Sequence, residues 1–160
     1  IRSFEPREIP EDTLNRLIEV ACEAPTAGNA QPWKFIAVRN QDVKRQLASA
    51  ALGQSFIADA PLVIVVCADL ALSRRCYGER GEELYSIQDT AAAVQNILLG
   101  ASSLGLGTCW IGAFNEKHVG SALNLSRELR PLALIPVGYA RKSGKKPARK
   151  SVAEVMSVID

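Results

Sequence analysis

Three features of this 160-residue sequence predict a single α+β layer protein. The run PLVIVVCA, Pro61 to Ala68, is apolar at nearly every position, as a strand buried on both faces at the centre of a sheet would be. Ahead of it, Leu14, Leu17, Ile18 and Ala21 repeat at helical spacing, and behind it SIQDTAAAVQNILLGASSL, from Ser86, has sustained apolar helical character. Pattern reading gives about four strands and about five helices.

The elements follow in chain order. Pro10 suits a first helical turn and Pro25 stops the helix. KFIAV, Lys34 to Val38, reads as a strand of β-branched and aromatic residues. NQDVKRQLASAAL is a helix capped by Asn40, with Val43, Leu47 and Ala51 on one face. After the central strand, Asp69 to Tyr85 turns polar and glycine-containing, a mobile surface excursion suited to covering a site. Ser86 and Asp89 have capping spacing at the start of the Ala-rich helix, whose small residues let another helix approach closely. TCWIGAF, Thr108 to Phe114, predicts a short strand, and Asn115 caps the helix NEKHVGSALNL. LALIPVGYA, Leu132 to Ala140, predicts an edge or irregular strand because of Pro136. SVAEVMSVI, Ser151 to Ile159, closes the chain at helical spacing.

Composition narrows the function. A formal charge of +2 argues against nucleic acid as a main partner. The basic run RKSGKKPARK, Arg141 to Lys150, stands alone, and its simplest role is a solvated loop. Cys22, Cys67, Cys76 and Cys109 are widely spaced, which disfavours a disulfide framework or a zinc site and points to a reducing cytoplasm. No run approaches the roughly 20 apolar residues of a membrane span, and IRSFEPREIP has no signal-peptide core, so a cytoplasmic protein is expected. His118 is the only histidine and sits in a polar helix start. Histidine-based hydrolase triads and two-histidine metal sites are therefore hard to build. GASSLGLG precedes a strand, the reverse of the order a dinucleotide loop needs.

With so little acid-base machinery, either there is no chemistry or a cofactor carries it. APTAGNAQPW, Ala24 to Trp33, gathers amide and hydroxyl groups beside prolines and an aromatic. Thr26, Asn29 and Gln31 suit the hydrogen-bonding edge of a flavin, with Pro25 and Trp33 packing beside it. The alternative for the decapeptide alone is a turn in which Asn and Gln tie up backbone.

APTAGNAQPW also matches the A-P-[ST]-x-x-N-x-Q-P-W stretch of the nitroreductase family of flavin mononucleotide (FMN) oxidoreductases at every defined position. The resemblance continues through IADAPLVIVVCAD, SIQDTAAAVQNILLGASSLGLGTCWIGAF and IPVGYARKSGKKPARKSVAEV, in family order over essentially the whole chain, 1–160, read as one FMN-binding domain. It implies a mixed sheet flanked by helices and an intertwined homodimer with FMN at the interface. By position, Pro25, Thr26 and Asn29 would approach the flavin from one subunit, and Ile111, Gly112 and Ala113 would face N5 and the C4 carbonyl from the other. Glycine at 112 permits close approach of backbone to a ring. Arg149 and Lys150 would meet the phosphate, and Gln54 the pyrimidine edge. Arg2 matches the last Arg of the family's R-R-S-x-R start and would sit near N1 and the C2 carbonyl; the earlier residues of that motif do not occur in this sequence. Larger members insert helices over the flavin where this chain has Asp69 to Tyr85.

The resemblance thus implies ping-pong electron transfer from NADH or NADPH to a nitroaromatic, quinone or free flavin, with no side-chain acid or base and no metal. Two other readings stand beside it: a specialised enzyme of the same fold, for reductive dehalogenation or flavin fragmentation, and a flavin-binding module without turnover.

Overall fold

The sheet is organised around the apolar run that the sequence singled out. The computed structural model describes residues 1–142, 144 and 146–159. Four strands, β1 (Trp33–Val38), β2 (Leu62–Asp69), β3 (Gly107–Thr108) and β4 (Leu129–Gly138), lie in the order β1-β2-β4-β3. Residues 62–68 of β2 are completely buried, because both faces of the sheet are covered. On one side Leu62, Ile64 and Val66 meet α1 (Glu11–Cys22) and α5 (Ser86–Ser103) through Leu14, Leu17, Val94 and Ile97. On the other, Val63, Val65 and Cys67 meet Leu47 of α2 (Gln41–Ala50), Ile57 of α3 (Phe56–Asp59) and Val119 of α6 (Glu116–Ala122). Each fully buried Ile or Val contributes about 1.5–3 kcal/mol. Burial also pushes the Cys67 thiol up to about 12, which leaves it inert.

The α+β class holds, but the mixed sheet is corrected: all three strand pairings are antiparallel. The chain returns at the end of the sheet where it left, pairing Val38 with Val63 and Asp69 with Leu129, so each neighbour runs back. Pro136 does not mark an edge, since β4 lies between β2 and β3, but the irregular alternative holds, because pairing with β2 skips one residue between Pro131 and Ala133. The Leu134 N–H donates to the Ile111 carbonyl at 3.0 Å, so position 136, two residues on, points its nitrogen the same way. There it meets the stretch between Thr108 and Ile111, where the ladder is interrupted and no donor is required. The same interruption shortens the expected strand at 108–114 to β3 plus an isolated Ile111–Leu134 bridge.

Asp69 to Tyr85 is helical rather than a loop. It forms α4 (Leu70–Arg80) and a π-helical turn, Gly81–Tyr85, that runs directly into α5. No apolar stripe announced α4 because residues 74–80 are all exposed and Ser73 is its one buried residue. Its start is capped by the Asp69 carboxylate, which accepts the Leu72 N–H at 2.9 Å, and Arg74 pairs with Glu82 at 2.6 Å and Glu128 at 3.7 Å. Ser86 is accordingly interior to a continuing helix, its hydroxyl donating to the Glu82 carbonyl at 2.7 Å, and does not cap it. Asn40 and Asn115 do cap α2 and α6. The small residues of α5 admit α1, with Gly100 set against Val20. The expected C-terminal helix contracts to α7 (Val152–Val155), whose apolar residues are exposed and have no surface to pack on. Among the described residues, no helix is long and apolar enough to cross a membrane.

Candidate functional site

The stretch 25–31 links α1 to β1 by a path that few sequences tolerate. A 3₁₀ turn spans Ala27–Asn29, and Gly28, Asn29 and Gln31 all take left-handed backbone, with φ of 53°, 57° and 52°. For a residue with a Cβ this costs about 1 kcal/mol, which local hydrogen bonds offset. The Gln31 N–H donates to the Thr26 hydroxyl at 3.1 Å, and the Gln31 side-chain amide donates to the Asn29 carboxamide oxygen at 3.1 Å. Part of the polar content therefore ties up the turn itself, and Gln31 is largely spent on Asn29. Thr26 keeps its hydroxyl proton and Asn29 keeps its amide N–H groups. Trp33, expected beside a ligand, instead opens β1 and packs with Phe35 against the α1–α5 core.

Asp89 of α5 holds the turn from below, accepting the Ala27 N–H at 3.1 Å. Asp89 is buried, as are Ser86, Thr90 and Ala93 of the same helix, and desolvation raises its pKa, opposed by that hydrogen bond. The sequence showed Asp89 only as a capping partner. An acidic residue on the buried face of an alanine-rich helix was the available signal.

The other expected residues fall into separate groups. Ile111 is buried and bridged to Leu134, while Gly112 and Ala113 are exposed, and a Cβ added at Gly112 would meet no atom within 4 Å. Gln54 follows a left-handed Leu52–Gly53 pair, and its amide donates to the Ala51 carbonyl at 3.0 Å. Arg2 lies over the Phe56 ring, 5.8 Å from its centre, and opens with Ser3, Asp59 and Arg141 onto a cleft of about 380 Å³. The Arg141 N–H donates to the Ser3 carbonyl, so the start of the basic run is fastened beside Arg2. Arg149 and Lys150 are exposed, and Arg149 donates only to the neighbouring Pro147 and Ala148 carbonyls among the described residues. Ser143 and Lys145 of that run lie outside the described residues. His118 is exposed, as its polar surroundings suggested.

A larger cleft, about 470 Å³, opens elsewhere, between α6 and the start of β4. Arg130 and Glu116 cross it in a two-bond pair at 2.9 Å, which holds the Glu116 carboxyl below its usual range. None of the residues expected at a flavin lines it.

Residues 1–55 and 48–139 match the sequence profile described as the nitroreductase family. An FMN reductase (NADPH) of Bacillus subtilis is 31% identical over 161 residues, covering 92% of this chain and 65% of its own. An NADH dehydrogenase of Thermus thermophilus is 32% identical over 171 residues, covering 90% of this chain and 83% of its own. The crystal structure of a nitroreductase family protein from Streptococcus pneumoniae superposes with a TM-score of 0.90 at 25% identity, covering 99% of this chain and 94% of that one.

Proposed function

The chain belongs to the nitroreductase family, and from that premise we propose that it is an FMN-dependent oxidoreductase. It takes electrons from NADH or NADPH and passes them to a nitroaromatic, quinone or free flavin in alternating half-reactions. The observation that carries the reading is the 25–31 turn: a hydrogen-bonded, left-handed polar loop that leaves donors on Thr26 and Asn29 unspent. Such donors match a ring edge bearing carbonyls and nitrogens.

Bound FMN would supply the ring nitrogen that takes up and releases hydride. The protein's work is then positioning and electrostatics. Thr26 and Asn29, with Pro25 and Gln31 forming the wall, orient the ring edge. Gly112, between Ile111 and Ala113, has open space where any side chain would project, and so admits a ring against the backbone. Arg2 favours negative charge on the pyrimidine side, with Gln54 as a further donor. Arg149 and Lys150 reach the phosphate, and Arg141 beside Arg2 adds to the positive field.

The functional unit is a homodimer. Val155, Met156, Val158 and Ile159 near the C-terminus, and Leu99 on α5, are between 58% and 96% exposed, an apolar surface that a second copy would cover. The test is the visible spectrum of the purified protein with added FMN, followed by anaerobic NADH or NADPH. A yellow protein bleached by either nucleotide supports the enzyme. A yellow protein that neither reduces is a binding module, and one that stays colourless overturns the reading.

A further inference from the structure

The fold delivers one aromatic side chain to the 25–31 turn that the sequence pattern did not single out. α4 breaks at Tyr77–Gly78, where Gly78 takes φ 59° and ψ −145°, a region essentially reserved for glycine. The break turns Tyr77 out of the helical path and sets its hydroxyl against Gly28, so closely that a Cβ on Gly28 would collide with it. The π-helical turn that follows brings Tyr85 edge-on to the Tyr77 ring, with centres 5.4 Å apart and planes at 84°. Such turns inside helices are frequent at functional sites. Gly81, in that turn, lies against the Ser73 carbonyl and the Tyr77 Cβ, so the packing at the kink leaves no room for a side chain there.

The two phenols differ in what they do. The Tyr85 hydroxyl accepts from Arg80 at 2.9 Å. The Tyr77 hydroxyl has no hydrogen-bond partner among the described residues, and the residue stays 41% exposed. Two local irregularities thus hold an uncommitted phenol over the midpoint of the turn, between Thr26 and Asn29.

We propose that Tyr77 is a specificity-determining residue for the electron acceptor: its ring borders the acceptor's place over the 25–31 turn, and its hydroxyl donates to an acceptor oxygen. This rests on the flavin reading above. The favoured class is planar aromatic acceptors bearing an oxygen acceptor, a quinone carbonyl or a nitro group. Acceptors that take electrons without docking are indifferent to it.

The experiment uses FMN-loaded protein with Tyr77→Phe, which keeps the ring on Tyr85 and Gly28 and removes only the hydroxyl, and Tyr77→Ala, which removes both. Three quantities are measured: FMN affinity by fluorescence, anaerobic flavin reduction by NADH or NADPH, and steady-state kcat and KM with 1,4-benzoquinone, nitrobenzene and ferricyanide. The expected result for Tyr77→Phe is a KM about fivefold higher for benzoquinone and nitrobenzene, the loss of one neutral hydrogen bond. Its kcat, FMN affinity, flavin reduction and ferricyanide rate should be unchanged. Tyr77→Ala should raise the same two KM values further. Unchanged KM values in both variants overturn the proposal, and so does a fall in FMN affinity matching the rise in KM, which would make Tyr77 part of the flavin cradle. Either result leaves the oxidoreductase intact, whereas a parent protein that binds no FMN removes both readings.

Discussion

At the scale of single residues, Gly112 and Asp89 separate binding from folding. A side chain at Gly112 would meet nothing within 4 Å in its own chain. Gly112→Val should therefore leave stability within about 0.5 kcal/mol of the parent. Filling the space that the proposed function assigns to the ring should slow flavin reduction about 100-fold, as misplacement by an ångström does. Stopped-flow reduction beside a thermal melt checks both, and a variant that reduces at the parent rate removes the 111–113 segment from the flavin edge. Asp89 carries a pH signature as well. Its folded pKa lies above the ordinary carboxylate value, so the folded state binds the proton more tightly than the unfolded chain. Stability should fall as pH rises from that ordinary value through the raised one, and remain at its lower level above it. Asp89→Asn keeps an oxygen for the Ala27 N–H and should flatten this dependence while preserving FMN affinity. Asp89→Leu leaves that N–H unpaired, costing about 1–3 kcal/mol, and should weaken FMN binding. Urea melts across pH with FMN titrations decide it, and an Asp89→Leu protein unchanged in both would show that the contact does not hold the turn.

Elements differed in how openly the sequence declared them. β2 was legible because burial on both faces demands an unbroken apolar run, and α1, α2 and α6 because one buried stripe or a capping Asn marks each. α4 was illegible because ion pairs and an Asp69 cap hold it with almost no buried side chain. The edge alternative for β4 failed because Pro136 tells only that an N–H is missing, and the gap beyond β3 that forgives it lies more than 20 residues away. The geometry of the candidate turn was half legible. APTAGNAQPW pointed to Thr26 and Asn29, but nothing local showed that Gln31 would be used on Asn29, or that Asp89 and Tyr77 would converge on the turn from distant positions. The kink at Gly78 gives this scale its own test. Alanine there should cost about 1–3 kcal/mol, since φ 59° with ψ −145° suits only glycine. It should also reproduce the acceptor defect of Tyr77→Ala by releasing the ring from Gly28. Wild-type stability in Gly78→Ala would mean that α4 runs straight without penalty.

For the whole molecule, the polar 25–31 turn and the exposed Gly112, which its own chain leaves open, are the two surfaces assigned to the flavin in the proposed function. In the proposed dimer the two halves come from different copies, which makes flavin binding and dimerisation one equilibrium. A ligand held only by the assembled form must stabilise that form. Sedimentation velocity across a dilution series, with and without FMN and followed at both the protein and the visible flavin absorbance, measures this directly. Flavin should travel only with a species of twice the chain mass, flavin and dimer should be lost together on dilution, and added FMN should move dissociation to lower protein concentration. Flavin travelling with a single chain, or a dimer whose dissociation is indifferent to FMN, would contradict it.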